Sequence, residues 1–250
     1  MTINSSAPTA TLEKHAMAES AHTKRDHPII FSSPMVRALL QNRKTMTRRI
    51  AWRSETDRKY MSFVCDGEKP PSLSRSAKGL VALGGVYWLR PSPWQKVKPG
   101  DRLWVRETWN GYTERVLGSR EGCRIMAYRV SDEDDYYKGM KWRSPIHMRR
   151  SDSRLTLVVT ATKIERLQDI SNQDAISEGC ECVSVLDNQD ASGYRMAEGT
   201  ALTGSPISAF EEYWTALHGP GSWDANPEVV ALTFTVRKTN INQIGRETGN

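Results

Sequence analysis

Leu155-Thr156-Leu157-Val158-Val159-Thr160-Ala161-Thr162 and Val230-Ala231-Leu232-Thr233-Phe234-Thr235-Val236-Arg237 are the stretches that decide the fold. In the first, Leu155, Leu157, Val159 and Ala161 alternate with Thr156, Val158, Thr160 and Thr162. In the second, Val230, Leu232, Phe234 and Val236 alternate with Ala231, Thr233, Thr235 and Arg237. A period of two in residues this rich in β-branched side chains predicts strands with one buried face. Shorter runs read the same way: His27–Phe31, Val86–Leu89, Ile125–Val130, and Arg102–Arg106 after the Lys98-Pro99-Gly100-Asp101 turn. In Arg102–Arg106, Leu103 and Val105 share a face opposite Arg102, Trp104 and Arg106.

Three segments carry helix signals. Ser33-Pro34 places a capping hydroxyl before a proline suited to the first turn, Met35/Leu39 and Val36/Leu40 pair four apart, and Asn42 is a stop. Ser171, with Asp174 three residues on and Gly179 beyond, predicts a short second helix ending at Glu178. Ser205-Pro206 opens a third, with Ile207, Phe210, Trp214 and Leu217 on one face and Gly219-Pro220 as its stop. Strands outnumber helices and do not alternate with them. The expected class is α+β, mostly β: a small antiparallel barrel with peripheral helices and long loop insertions.

The expected organisation is a disordered polar arm over 1–26, one domain over 27–238, and a polar tail over 239–250. Insertions fall at about 51–97, a long connection, and at 180–204, a loop. Asp132–Asp135 reads as an acidic loop. With 38% hydrophobic and 26% charged residues, 250 residues suffice for a packed core. Mean hydropathy is −0.58, and no apolar run approaches the roughly 18 residues that span a bilayer. The N-terminal residues have no signal-peptide core, and the four cysteines read as reduced thiols, so a cytoplasmic protein is expected.

The formal charge of +6 is concentrated. Residues 37–59 hold eight basic side chains against two acids, and the rest of the chain balances. Two readings stand: a contact for a polyanion, whose counterions are released on binding, or a solvated segment balanced by distant acids. A second basic group comprises Lys141, Arg143, Arg149, Arg150 and Arg154. No phosphate-binding glycine loop or His-Glu-x-x-His motif is present. Cys180-Glu181-Cys182 lacks a second pair and reads as two loop thiols rather than a zinc site. No metal or cofactor is expected.

The chemistry-bearing stretch is Arg43-Lys44-Thr45-Met46-Thr47-Arg48-Arg49. Extended, it would send Thr45, Thr47 and Arg49 to one face and Lys44, Met46 and Arg48 to the other; as a loop, it would let Lys44 and Thr47 converge. An amine crowded by arginines loses its proton more readily and activates a neighbouring hydroxyl. The alternative is phosphate binding by the same cations with hydroxyl help.

Four motifs in this order resemble the ASCH domain: Arg43-Lys44-Thr45-x-Thr47-x-Arg49; Pro99-Gly100-Asp101-Arg102-Leu103-Trp104-Val105-Arg106; Thr160-Ala161-Thr162; and Leu167-x-x-Ile170-Ser171-x-x-x-Ala175-x-x-Glu178-Gly179. With Trp223–Pro227 before the last strand, the chain looks like the longer ASCH-related proteins of phages and prophages. The resemblance covers roughly residues 28–237. It implies a PUA-like barrel with a cleft for RNA or a modified nucleoside. Some compact members are amidohydrolases acting on N4-acetylcytidine, with a lysine proton acceptor, a threonine nucleophile and a glutamate proton donor; these fall on Lys44, Thr47 and Glu178. Other members are ribonucleases, and a non-catalytic accessory protein docking to DNA is a further alternative. Arg43, Thr45, Arg48, Arg49, Arg106 and Trp109 are the expected nucleic-acid contacts. A Lys44–Glu178 ion pair of purely structural role competes with the catalytic assignment, and core filling competes with base stacking for the tryptophans.

Overall fold

The computed structural model describes residues 23–55, 78–82, 85–115, 122–131, 139–184, 192–197 and 200–244. Its strands are β1 (Asp26–Ile30), β2 (Met46–Ile50), β3 (Trp52–Glu55), β4 (Lys78–Ala82), β5 (Gly85–Pro91), β6 (Arg102–Arg106), β7 (Trp109–Arg115), β8 (Gly122–Tyr128), β9 (Thr156–Arg166), β10 (Glu181–Ser184), β11 (Ser192–Arg195) and β12 (Glu228–Arg237). The helices are α1 (Ser33–Leu40), α2 (Asn172–Ser177) and α3 (Pro206–His218). The class is α+β, mostly β.

The two alternating stretches form the middle of a five-stranded sheet ordered β1-β6-β9-β12-β2. Only β1 and β6 run parallel; every other pair is antiparallel. Leu103, Leu157, Val159, Leu232 and Phe234 are buried from this sheet, beneath Val36 and Leu39 of α1 and Phe210 and Trp214 of α3. The expected closed barrel is not formed by the described strands: β1 and β2 are the sheet's two edges. Those edges are nevertheless near each other, because Arg49 of β2 donates from Nη2 to the Ile30 carbonyl of β1 at 2.8 Å.

A bulge interrupts the central pairing. Thr233 lies opposite Ala161 and Phe234 opposite Val159, so Thr160 has no partner on β12. Beyond it, the residues of β9 that continue the sequence parity of Leu157 and Val159 lie on the other face of the sheet. Phe234, next to the bulge, donates its amide to the Thr45 carbonyl, which ties the start of β2 to the irregularity.

Several expectations shift. The N-cap of α1 is Ser32 rather than Ser33, and its side chain makes no capping bond. The insertion after β2 carries the antiparallel sheet β3-β5-β4 rather than only one strand, and the 180–204 loop carries the β10-β11 hairpin. β7, unforeseen, pairs with β8. The expected polar tail is packed at its start: Ile241 is fully buried, and Asn240 Nδ2 donates to the carbonyls of Arg150, Ser151 and Ser153. Ser171 and Ser205 cap α2 and α3 as predicted, each accepting from an amide three residues on. Most of the arm, the 56–77 segment, Asp132–Asp135 and residues 245–250 lie outside the described residues.

Candidate active-site cleft

Two turns aim the key side chains. At the end of α1, Asn42 takes φ 58°, and the amides of Arg43 and Lys44 both donate to the Ala38 carbonyl. This left-handed stop, which asparagine tolerates, reverses the chain and drives Lys44 inward. At the end of α2, Gly179 takes φ 108°, and a Cβ there would stand 3.1 Å from Ala38 Cβ and 3.4 Å from Lys44 Cβ. Gly179→Ala is therefore expected to destabilise the protein by about 1–3 kcal/mol, through backbone strain and displacement of Lys44. Urea unfolding checks this; an unchanged midpoint would contradict it.

Lys44 is 1% exposed, and its Nζ donates both to Glu178 Oε2 and to the Glu178 carbonyl, each at 2.7 Å. Thr47 is buried on β2, and Lys44, Thr47, Arg48, Arg49 and Glu178 all border one cleft of about 380 Å³. Its opposite wall comes from α3, through Phe210, Tyr213, Trp214, Leu217 and His218; Thr108 and Pro145 complete it. The three residues expected from the sequence thus border one cleft, with Lys44 and Glu178 in direct contact. Burial pushes the Lys44 amine below its ordinary value of 10.5, Glu178 opposes this, and the cations Arg49 and Arg48 reinforce it.

Behind this pair is a buried charge network. Arg48 has no exposed side-chain surface. Its guanidinium donates to Glu165 Oε1 at 2.7 Å, to Asp174 Oδ2 at 2.8 Å and to Glu178 Oε1 at 3.3 Å. Lys163 closes on Glu165 Oε2 at 2.6 Å from the solvent side. Three carboxylates thus face three cations. The expected role of Arg48 in touching nucleic acid is corrected here: its burial among carboxylates makes it a structural pivot instead.

The other expected contacts divide. Arg49 lies over the Phe31 and Trp94 rings at 5.1 and 5.6 Å, and its Nε is a buried donor with no acceptor among the described residues. Arg43 is partly buried and donates to Gln41 and to the Gly179 carbonyl. Thr45 acts through its backbone, donating to the Ser177 carbonyl. Arg106 and Trp109 do not border the cleft. Trp109 is 3% exposed, which corrects its reading as a base-stacking surface, while Arg106 lies over Trp104 at 4.4 Å. Glu107, buried, accepts two bonds of 2.9 Å from Arg154, which ties down the chain just beyond β6.

Sequence reasoning missed the α3 wall. Trp214 is buried as expected of a core residue, yet it borders the cleft, and its Nε1 is a second buried donor there without an acceptor among the described residues. The His218 ring is stacked on it at 4.1 Å, and burial first, then Arg49, lowers the His218 pKa below the ordinary imidazole value. Tyr213 shares a 2.8 Å bond with Ser32 across the cleft. Among the described residues no cluster of His, Cys, Asp and Glu could hold a metal ion. Burial raises the Cys180 thiol to about 11, far from thiolate chemistry at neutral pH. No helix of the described residues is long and apolar enough to cross a membrane.

The chain matches no family model, and comparison with curated proteins and with solved structures finds no match.

Proposed function

We propose that the cleft binds a modified nucleoside and hydrolyses an N-acylated cytidine, as do the compact ASCH-domain amidohydrolases that the chain resembles. The observation that carries this reading is a buried lysine amine 2.7 Å from a buried carboxylate, in a cleft of ligand size that a threonine also borders. The buried unpaired donors of Arg49 and Trp214 favour a ligand rich in acceptor oxygens, because a buried N–H without a partner is costly. The near approach of the sheet's edges through Arg49 and Ile30 suits a curled, PUA-like barrel.

The chemistry follows from one shared proton. The Lys44–Glu178 pair holds a single proton across its bond; in the reactive form the amine, whose charged state burial disfavours, is neutral and the acid carries the proton. In that form an acceptor and a donor stand side by side. Thr47 Oγ1 attacks the acyl carbonyl carbon, and its proton passes to Lys44 Nζ. As the tetrahedral intermediate collapses, the C–N bond breaks and the leaving cytosine amine takes the proton of Glu178. Water then hydrolyses the threonyl ester, releasing the carboxylic acid and restoring the pair.

A cleft walled by α3 favours one nucleoside over a groove for a polymer, and so favours this reading over a ribonuclease. The test is incubation of the purified protein with N4-acetylcytidine, followed by chromatography. Release of cytidine and acetate is expected. An intact substrate after prolonged incubation, at a concentration where binding is demonstrated, would refute hydrolysis and leave a binding protein.

A further inference from the structure

The fold places the second basic group of the sequence against the rim of the cleft. Thr108 and Pro145 border the cleft. Trp109, next to Thr108, is bridged to Arg143, two residues before Pro145, by backbone bonds in both directions of 3.3 and 2.8 Å. Asn110 Nδ2 donates to the Lys141 carbonyl at 3.1 Å. The 141–143 segment is thereby fixed along β7 as it leads away from the cleft mouth. Arg129 joins it, because its guanidinium lies over the Trp142 ring at 5.5 Å, just as that of Arg143 lies over Trp109 at 5.4 Å.

Arg129, Lys141 and Arg143 are exposed, and none has an acidic partner among the described residues. Their neighbours differ: Arg154 is held by Glu107, and Arg150 by Asp26. A guanidinium lying on a ring is restrained before any ligand arrives, so it gives up less freedom when its N–H edge takes up a phosphate. Exposed cations on a fixed strip, starting at a pocket, are what a polynucleotide requires when one of its bases is drawn out of the strand and its backbone remains outside.

We infer that Arg129, Lys141 and Arg143 form a track for the phosphodiester backbone of a single strand, whose central nucleotide enters the cleft. The inference rests on the cleft being a nucleoside site. It extends the substrate from the free nucleoside to the same modified residue within a polynucleotide.

The test is fluorescence anisotropy with an RNA of about 12 nucleotides carrying one central N4-acetylcytidine, a DNA strand of matching length, and polyglutamate. The proteins are the wild type, the Arg129→Ala/Lys141→Ala/Arg143→Ala variant, and a Lys96→Ala/Lys98→Ala control. The control removes exposed charge near the opposite end of β6. The track variant is expected to bind the strand about tenfold or more weakly, and its salt slope should shrink by about 0.7 for each phosphate it no longer neutralises. The control should stay within about twofold of wild type, as expected for charge outside the binding surface. Binding of RNA or DNA with this pattern supports the track, and the two arms identify the strand. Equal weakening in the control, unchanged binding in the track variant, or equally tight binding of polyglutamate would overturn it. Strand binding of the expected pattern without hydrolysis would refute the amidohydrolase and keep the track. Hydrolysis of the nucleoside without strand binding would do the reverse.

Discussion

Replacing Lys44 with methionine is expected to lower kcat on N4-acetylcytidine by about 10²–10⁴-fold while changing KM much less. Methionine keeps the unbranched stem that packs against Gly179 and removes only the amine. The missing group acts on a proton in flight, which a bound substrate does not yet need to surrender, so the loss falls on the transition state. Glu178→Gln is expected to show a similar loss, because the amide can neither give up nor regain the shared proton. Both variants keep Arg48 beside position 178, so melting curves recorded in parallel separate a folded, inactive protein from an unfolded one. A Lys44→Met protein that folds and turns over at the wild-type rate would remove the lysine from the mechanism.

The pH dependence has a definite sign. Lys44 titrates below 10.5, and its neutral form is the proton acceptor. Because the reaction needs the one proton that the pair holds, the rate should fall as the pH rises through a midpoint below that value, where the pair loses this proton and Glu178 has none to donate. Stability moves in the opposite direction. Between the depressed value in the folded protein and 10.5, the unfolded chain binds more protons, so the stability contributed by Lys44 increases with pH across that window.

The sequence displays the triad's neighbourhood more openly than its support. Lys44 and Thr47 lie three residues apart in a basic run, and Glu178 sits between a capped helix and a glycine; these are local signals. Their meeting depends on two left-handed turns, of which Asn42 and Gly179 are the visible marks. Glu165 was hidden for a different reason. It follows Leu157 and Val159 in period-two parity, so the pattern assigns it to their face. The unpaired Thr160 shifts that face, and Glu165 comes to lie with Arg48 on the other side of the sheet. A bulge of one residue leaves no mark in a stretch of alternating Thr and Val. The charge of Arg48 was legible, but not its destination, because an arginine bound for solvent and one bound for three carboxylates are spelled alike. The α3 wall was hidden for a comparable reason: a helix face whose Phe210 and Trp214 both pack on the core and border the cleft has one continuous apolar pattern.

Arg48→Met is expected to produce the largest loss of stability of any single change considered, about 3–5 kcal/mol in urea unfolding. The cause is what remains rather than what is removed. Arg48 contacts Glu165, Asp174 and Glu178 together, and Glu165 and Glu178 are almost wholly buried. Without the guanidinium, Lys44 still faces Glu178 and Lys163 still faces Glu165, but three mutually repelling carboxylates share two cations. Water cannot compensate at the buried pair. Arg48→Lys should recover only part of the loss, since one ammonium cannot reproduce the planar fork that reaches all three acids. Removing a carboxylate as well, in Arg48→Met/Glu165→Gln, should be less destabilising than Arg48→Met alone, because the excess negative charge falls. Lys163→Ala should matter far less, as its ammonium stays in water. If Arg48 instead served as an exposed phosphate ligand, Arg48→Met would leave unfolding nearly unchanged, and the double variant would show no recovery. The opposite response of the double variant is thus the decisive sign, since neither overpacking nor the absence of a surface interaction can be reversed by neutralising Glu165.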